Sequence, residues 1–245
     1  MVPVSRIGKT EKDLIVKNGD KFINNEYYLS IFYSPIVSNT VEKDFYNAFN
    51  NVAFKKWLLA VFPEVEEAQN QSQNTPWHLY NVLDHILFTV KYVNMQTGNK
   101  NLRARQILAL SAFLHDLGKP FCATKKEVNG TVYDTFKGHA QKGVEIAKRA
   151  LKHFKVNSEE QKIIEFLIEN HDFLMELNAN NIKTVNVSAV KNVVFKTLCN
   201  LEKIEENKIL LYLFILALAD NMAQNSDLTT KNIALLSKLK KEIKI

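Results

Sequence analysis

The chain has 245 residues, 46% of them apolar and 24% charged, a globular balance that excludes a disordered polypeptide and leaves enough chain to bury a sizeable core. Glycine is scarce at 7 residues, less than half its usual share of about 7%, so a fold of many tight hairpins is disfavoured and a mainly helical one expected. Lysine and arginine number 32 against 26 aspartates and glutamates, a net +6, which suits a polyanionic or phosphorylated partner without defining one.

The opening residues 1–13 lack the apolar core of a secretory signal. In residues 21–33, Lys21-Phe22-Ile23 and Tyr27 to Tyr33 are β-prone and flank Asn24-Asn25, which predicts a short hairpin in an N-terminal appendage over residues 1–40. From Val41 the pattern turns helical. Phe45, Phe49, Val52 and Phe54 lead into Trp57, Leu58, Val61 and Phe62 at spacings near 3 and 4. Pro63 interrupts, and residues 64–74 read as a polar connection.

Pro76 is expected to open a helix reaching Met95, with Leu79, Val82, Leu83, Ile86, Leu87, Val90 and Val93 as its apolar stripe. Another helix is expected over 103–117, with Gly118 as a left-handed cap followed by Pro120. Val128-Asn129-Gly130-Thr131 predicts a small hairpin over 126–134. Helices are expected again at 139–154, 158–170, 187–202, 207–224 and 228–242. The longest apolar run, residues 209–219, has 11 residues, short of the roughly 20 needed to span a bilayer. Cys122 and Cys199 cannot form a disulfide framework, so a cytoplasmic setting without a membrane role is expected. The expected fold is all-α, with residues 41–245 as one helical domain.

Chemistry concentrates on histidines and aspartates. His115 and Asp116 end an apolar helical run and precede Gly118-Lys119-Pro120. Buried polar side chains of this kind need a shared partner, and a divalent cation is the economical one. His85 lies on the stripe with Val82 and Ile86, His139 follows Gly138 at a helix start, His171 ends the helix of Ile163 to Ile168, and Asp220 ends the long apolar run. The intervals between these positions are 30, 24, 32 and 49 residues, each about one helix-loop-helix step, so every ligand comes from a different helix. Other roles stay open: Asp220 capping a turn through Asn221, Asp172 competing with His171, and His153 as a solvated or capping residue.

The order His85 … His115-Asp116 … Asp220 resembles the H…HD…D signature of the HD-domain metal-dependent phosphohydrolases. The local wording is similar to the HD domain of bacterial tRNA nucleotidyltransferases and their stand-alone relatives. It reads His78-Leu-Tyr-Asn81-Val82-Leu-Asp84-His85, then Ser111-Ala112-Phe113-Leu114-His115-Asp116-Leu117-Gly118-Lys119-Pro120, then Phe136-Lys-Gly138-His139-Ala-Gln-Lys-Gly143. The resemblance covers about residues 50–225. Asn81 stands where the related run has Asp, and neither a Gly-Gly nucleotidyltransferase motif nor an Asp-x-Asp pair precedes the domain.

The resemblance implies His85, His115, Asp116 and Asp220 as ligands of a divalent ion, with His139 and His171 matching the histidines that hold a second ion in some members. Imidazole and carboxylate donors suit Mn, Fe, Ni, Co, Zn or Mg. The implied reaction is attack of activated water on phosphorus in a phosphorylated small molecule or nucleotide. Asp116 would bridge two ions, Lys119 would steady the phosphate, and His78 would contact substrate or support a ligand. Lys125, Lys126, Lys137 and Lys142 could draw a nucleotide or RNA end, or form a solvated face. An HD-fold di-iron oxygenase and a non-catalytic, metal-stabilised nucleotide- or RNA-binding module are the alternative readings.

Overall fold

The computed structural model describes residues 26–98, 101–174 and 206–242. Among these residues, ten α-helices and one hairpin follow in chain order: α1 (Glu26–Ile36), α2 (Val41–Phe49), α3 (Val52–Val61), α4 (Glu64–Asn70), α5 (Val82–Thr97), α6 (Leu102–Leu114), β1 (Thr124–Val128), β2 (Thr131–Thr135), α7 (His139–Ala150), α8 (Ser158–Asn170), α9 (Glu206–Met222) and α10 (Ser226–Glu242). The fold is all-α, as expected, and its two-stranded antiparallel sheet is the hairpin predicted near 126–134. Asn129 and Gly130 both have positive φ, 52° and 77°, as a tight two-residue hairpin turn requires. The helix expected at 187–202 lies outside the described residues.

Helix starts follow side-chain chemistry. Asn81, Asn101 and Asn157 each accept a backbone N–H three residues on, from Asp84, Ala104 and Glu160, at 2.8, 3.0 and 2.9 Å. These caps satisfy donors that a helix N-terminus otherwise leaves unpaired. The central layer is α5 packed between α6 and α9, with α7 and α8 closing over α6. In α9, Ile209, Leu210, Leu213, Phe214, Leu216, Ala217 and Ala219 are buried around its whole circumference, the mark of a core helix rather than a surface one.

Several local expectations are overturned. Residues 27–33 are not a strand: Tyr28, Leu29, Phe32 and Ile36 are buried along one side of α1, and this burial overrides β propensity, which is a weak, context-dependent preference. Residues 21–25 of that expected hairpin lie outside the described residues. Phe32 stacks or crosses Phe62, Phe113 and Phe154 with ring centroids 5.7, 5.1 and 5.3 Å apart, so α1 shares the main core. The polar stretch after Pro63 contains α4, where buried Glu64 takes a two-pronged ion pair from Arg149 at 2.6 and 2.7 Å.

Pro76 does not open a helix. Residues 71–81 form an irregular connection, and Leu79 is 61% exposed. The connection is tied down on both sides instead. The Asn74 backbone N–H and side-chain amide donate to Asp134 Oδ2 and the Val132 carbonyl, and the Asp134 N–H returns a bond to the Asn74 carbonyl. At its other end, Asn225 donates its N–H to the Trp77 carbonyl at 2.8 Å and its side-chain amide to the Pro76 carbonyl at 3.2 Å.

Helix α6 stops at Leu114, and Gly118 is right-handed at φ −77° rather than a left-handed cap. Close approach is what requires glycine here. A Cβ on Gly118 would lie 2.2 Å from the His139 carbonyl oxygen and 2.8 Å from the Gly143 nitrogen, so the missing side chain lets the start of α7 press against the turn after His115.

Candidate metal centre

Four buried side chains from three helices meet at the centre of the bundle. His85 comes from the second turn of α5, His115 and Asp116 from the end of α6, and Asp220 from the last turn of α9. One donor atom from each lies within 4.8 Å of all the others. His85 Nε2 is 3.2 Å from Asp116 Oδ2 and 2.8 Å from Asp220 Oδ1, while His115 Nε2 is 3.2 and 3.6 Å from the same two oxygens. Donors about 2.0–2.2 Å from a common ion stand roughly 2.8–3.6 Å apart in octahedral or tetrahedral arrangement, so the spacing is that of an inner coordination sphere.

A second group shares Asp116 and adds His139 and His171, again within 4.8 Å of one another. His139 begins α7 and His171 follows the end of α8. Asp116 Oδ1 faces this group, 3.3 Å from His139 Nε2 and 3.7 Å from His171 Nε2, whereas Oδ2 faces the first. The carboxylate thus presents one oxygen to each group.

The histidines are oriented from behind. Nδ1 of His115, His139 and His171 lies 2.6, 2.8 and 2.7 Å from the carbonyl oxygens of Ala112, Phe136 and Ile168, and Nδ1 of His85 lies 3.4 Å from that of Ala223. A carbonyl can only accept, so each Nδ1 carries the proton, and in a neutral ring Nε2 presents its lone pair inward. His139 Nε2 and His171 Nε2 are nonetheless 3.1 Å apart. Two lone pairs at that distance need a positive charge beside them. The first group makes the same demand: His85 Nε2, His115 Nε2 and Asp116 Oδ1 are buried without a hydrogen-bond partner among the described residues, and Asp116 Oδ2 meets the Lys119 ammonium at 2.6 Å. Orphaned donor atoms, ring tautomers fixed for inward lone pairs and paired carboxylates all fit divalent cations.

The electrostatics agree. Burial disfavours the charged form of His115, but Asp116 and Asp220 outweigh it and push the ring up to about 10. Burial alone would raise Asp116 and Asp220, yet the histidines, together with Lys119 in the case of Asp116, hold both carboxyls well below the usual range. The cluster therefore binds positive charge in whatever form is offered, proton or metal.

Lys119 is buried rather than solvated. Its Nζ is 2.6 Å from Asp116 Oδ2, 2.9 Å from Gln73 Oε1 and 3.3 Å from His78 Nε2, with the Phe136 ring 5.4 Å away. His78 Nδ1 is 2.8 Å from Thr75 Oγ1. Burial, then the charges of Lys119 and His85, push His78 down to about 2. It is a neutral acceptor at working pH. Asn81 caps α5 and holds Asp84 at 2.9 Å, away from the cluster. His153 sits in a short turn after α7. Lys142 pairs with Glu145, and Lys125 and Lys126 lie exposed on β1.

The structure thus brings His85, His115, Asp116, His139, His171 and Asp220 together, with Lys119 and His78 against them. Two participants carry no motif. Gln73 sits in the irregular connection and is placed by its bond to the Tyr80 carbonyl; nothing in local spacing marks it. Asp172 reads as an alternative to its neighbour, but both side chains face the second group, Asp172 Oδ2 lying 3.3 Å from His139 Nε2.

The HD-domain family model matches residues 82–225, more than half of the chain, and the chain belongs to that family. The match begins at the first residue of α5 and ends just past α9, enclosing all six converging donors. No curated protein matches the chain. Among the described residues, no helix is long and apolar enough to cross a membrane. Family and cluster together point to a metal-dependent hydrolase of the HD superfamily.

Proposed function

We propose that the protein is a metal-dependent phosphohydrolase that cleaves a phosphomonoester or phosphodiester bond in a small phosphorylated metabolite or nucleotide, with one or two divalent ions. The observation that carries this reading is the shared carboxylate of Asp116, with one oxygen turned to His85 and His115 and the other to His139 and His171. When bound there, divalent cations supply Lewis acidity toward water and toward phosphoryl oxygens.

The protein's own residues prepare that chemistry. Backbone carbonyls hold the four imidazoles so that no ring must turn as charge develops. Asp220 and Asp116 balance the cationic charge of the site. Lys119 fixes Asp116 and places its ammonium at the edge of the cluster. A phosphoryl oxygen reaches this ammonium by replacing its longest partner, His78 at 3.3 Å. His78 accepts that exchange because it is neutral and held through Thr75. The net +6 of the chain favours approach of an anionic substrate.

The test is phosphate or nucleotide release from a panel of phosphomonoesters, nucleotides and cyclic phosphodiesters with Mn, Ni, Co or Mg, set against a His115→Ala, Asp116→Ala double variant. Turnover abolished in the double variant is the expected result; equal turnover overturns the reading. Two irons per chain with dioxygen uptake and no phosphate release would mark an oxygenase. Tight nucleotide or RNA binding with no turnover under any metal would mark a binding module.

A further inference from the structure

Asp172 is the fourth carboxyl or imidazole group at the second cluster, beside Asp116, His139 and His171, and the most exposed of the four. Its side chain is 45% exposed, in contrast to 1% for Asp116 and 2% for His171. One oxygen, Oδ2, lies 3.3 Å from His139 Nε2 and the other, Oδ1, lies 3.5 Å from His171 Nε2. These separations match those within the first group, 2.8–3.6 Å. No lysine or arginine is paired with Asp172 among the described residues; its ion contacts are these two rings.

The two groups are unequal without it. The first has two imidazoles and two carboxylates, His85, His115, Asp116 and Asp220, all buried; the second has two imidazoles and only the shared Asp116. Asp116 Oδ1 is buried and unpartnered on that side, and the Nε2 atoms of His139 and His171 face each other at 3.1 Å. An additional anionic oxygen donor would give the second group the same donor chemistry as the first and offset the second positive charge that one shared carboxylate cannot neutralise alone.

We infer that Asp172 is an outer ligand of a second divalent cation held by Asp116, His139 and His171, and that it makes this second site the exchangeable one of the pair. The inference rests on the two-ion form of the proposed function. Because Asp172 stands at the solvent side, the second ion enters and leaves past it, whereas the first lies behind fully buried side chains. The inner donors, two imidazole nitrogens and an Asp116 oxygen within 4.8 Å of one another, with Asp172 outside that set, suit Mn, Fe, Co or Zn more than Ca, which prefers six to eight oxygens.

The experiment loads the metal-free full chain with Co(II) or Mn(II) and reads stoichiometry by elemental analysis, stepwise affinity by calorimetry, and, for Co(II), the visible absorption of each step. Wild type is expected to take up two ions. Asp172→Asn should keep the first step unchanged and weaken the second at least ~10-fold, as loss of a ligand or its support does, with a changed Co(II) spectrum for that step alone. Asp172→Glu should restore part of the second step, and Asp220→Asn should instead damage the first. Melting of the metal-free variants establishes that each is folded; an exposed side chain leaves Asp172→Asn folded. A second ion bound by Asp172→Asn with wild-type affinity and spectrum overturns the assignment, as does a wild type that takes up fewer than two ions. Two ions bound as expected with no hydrolysis of any phosphorylated substrate leaves Asp172 in place and removes the hydrolase reading alone.

Discussion

The ammonium of Lys119 lies 2.6 Å from Asp116 Oδ2, and both groups are buried. The lysine therefore neutralises a carboxylate that also serves two clusters of histidines. Breaking such a buried pair leaves an uncompensated charge, and Lys119→Met should destabilise the metal-free protein by about 3–5 kcal/mol. Added divalent ions should recover much of that loss, since they supply the missing positive charge. Chemical denaturation with and without Mn(II) measures both values; a variant as stable as wild type without metal would show that the pair carries no such role.

Asp116 and Asp220 should differ in metal content. Asp116→Asn removes the shared negative charge and leaves an oxygen donor to only one of the two groups, so it is expected to abolish tight binding of the pair, whereas Asp220→Asn should spare the His139–His171 side. Chelation should lower the melting temperature of wild type and leave Asp116→Asn unmoved. A ligand present at 100 times its dissociation constant stabilises by about 2.7 kcal/mol, a shift that calorimetry resolves readily.

Gly118→Ala is expected to act at a distance from the bonds it changes. Its Cβ would stand 2.2 Å from the His139 carbonyl, so the start of α7 must move outward. A forced repacking of this kind costs about 1–3 kcal/mol, and the displaced ring is His139. Metal titration should show the second step weakened more than the first, with denaturation reporting the stability loss.

Phe32→Ala tests whether α1 belongs to the domain core. Phe32 is fully buried among Phe62, Phe113 and Phe154, and its truncation should cost about 3–5 kcal/mol. Urea denaturation checks it; a loss below about 1 kcal/mol would place α1 outside the cooperative unit.

The acid limb of stability should depend on Glu160. Its side-chain hydrogen bond from Arg103 and the backbone N–H of Asn157 hold its pKa below the ordinary value. A carboxyl depressed in the folded state stabilises above its unfolded pKa of about 4.3 and loses that contribution as pH falls through the folded value. Glu160→Gln should therefore be less stable at neutral pH and should narrow its gap from wild type below pH 4, as thermal melts across pH 3–7 would show.

Most of the centre was legible in the sequence because its ligands fall at helix ends or on apolar stripes, where a polar residue is conspicuous. His115-Asp116 after Phe113-Leu114, and Asp220 after ten or more apolar positions, are local anomalies that a periodicity reading detects. The hairpin was legible for the same local reason, in Asn129-Gly130. The strand expected at 27–33 failed because Tyr28, Leu29 and Phe32 serve two periodicities equally well, and only the aromatic cluster they enter decides between them. Gln73 could not be found from spacing, since its position comes from contacts with residues 80 and 119. Gly118 looked like a helix cap, whereas the neighbour that requires it, His139, lies twenty-one positions further along the chain.

The stretch between Asn74 and Trp77 is a span resting on two abutments, β2 at one end and the turn before α10 at the other. Gln73 and His78 flank that span, so neither can drift while both footings hold. Loosening a footing, at Asp134 or at Asn225, should slacken the wall of the centre much as altering His78 itself would, even though neither asparagine nor aspartate touches a candidate ligand.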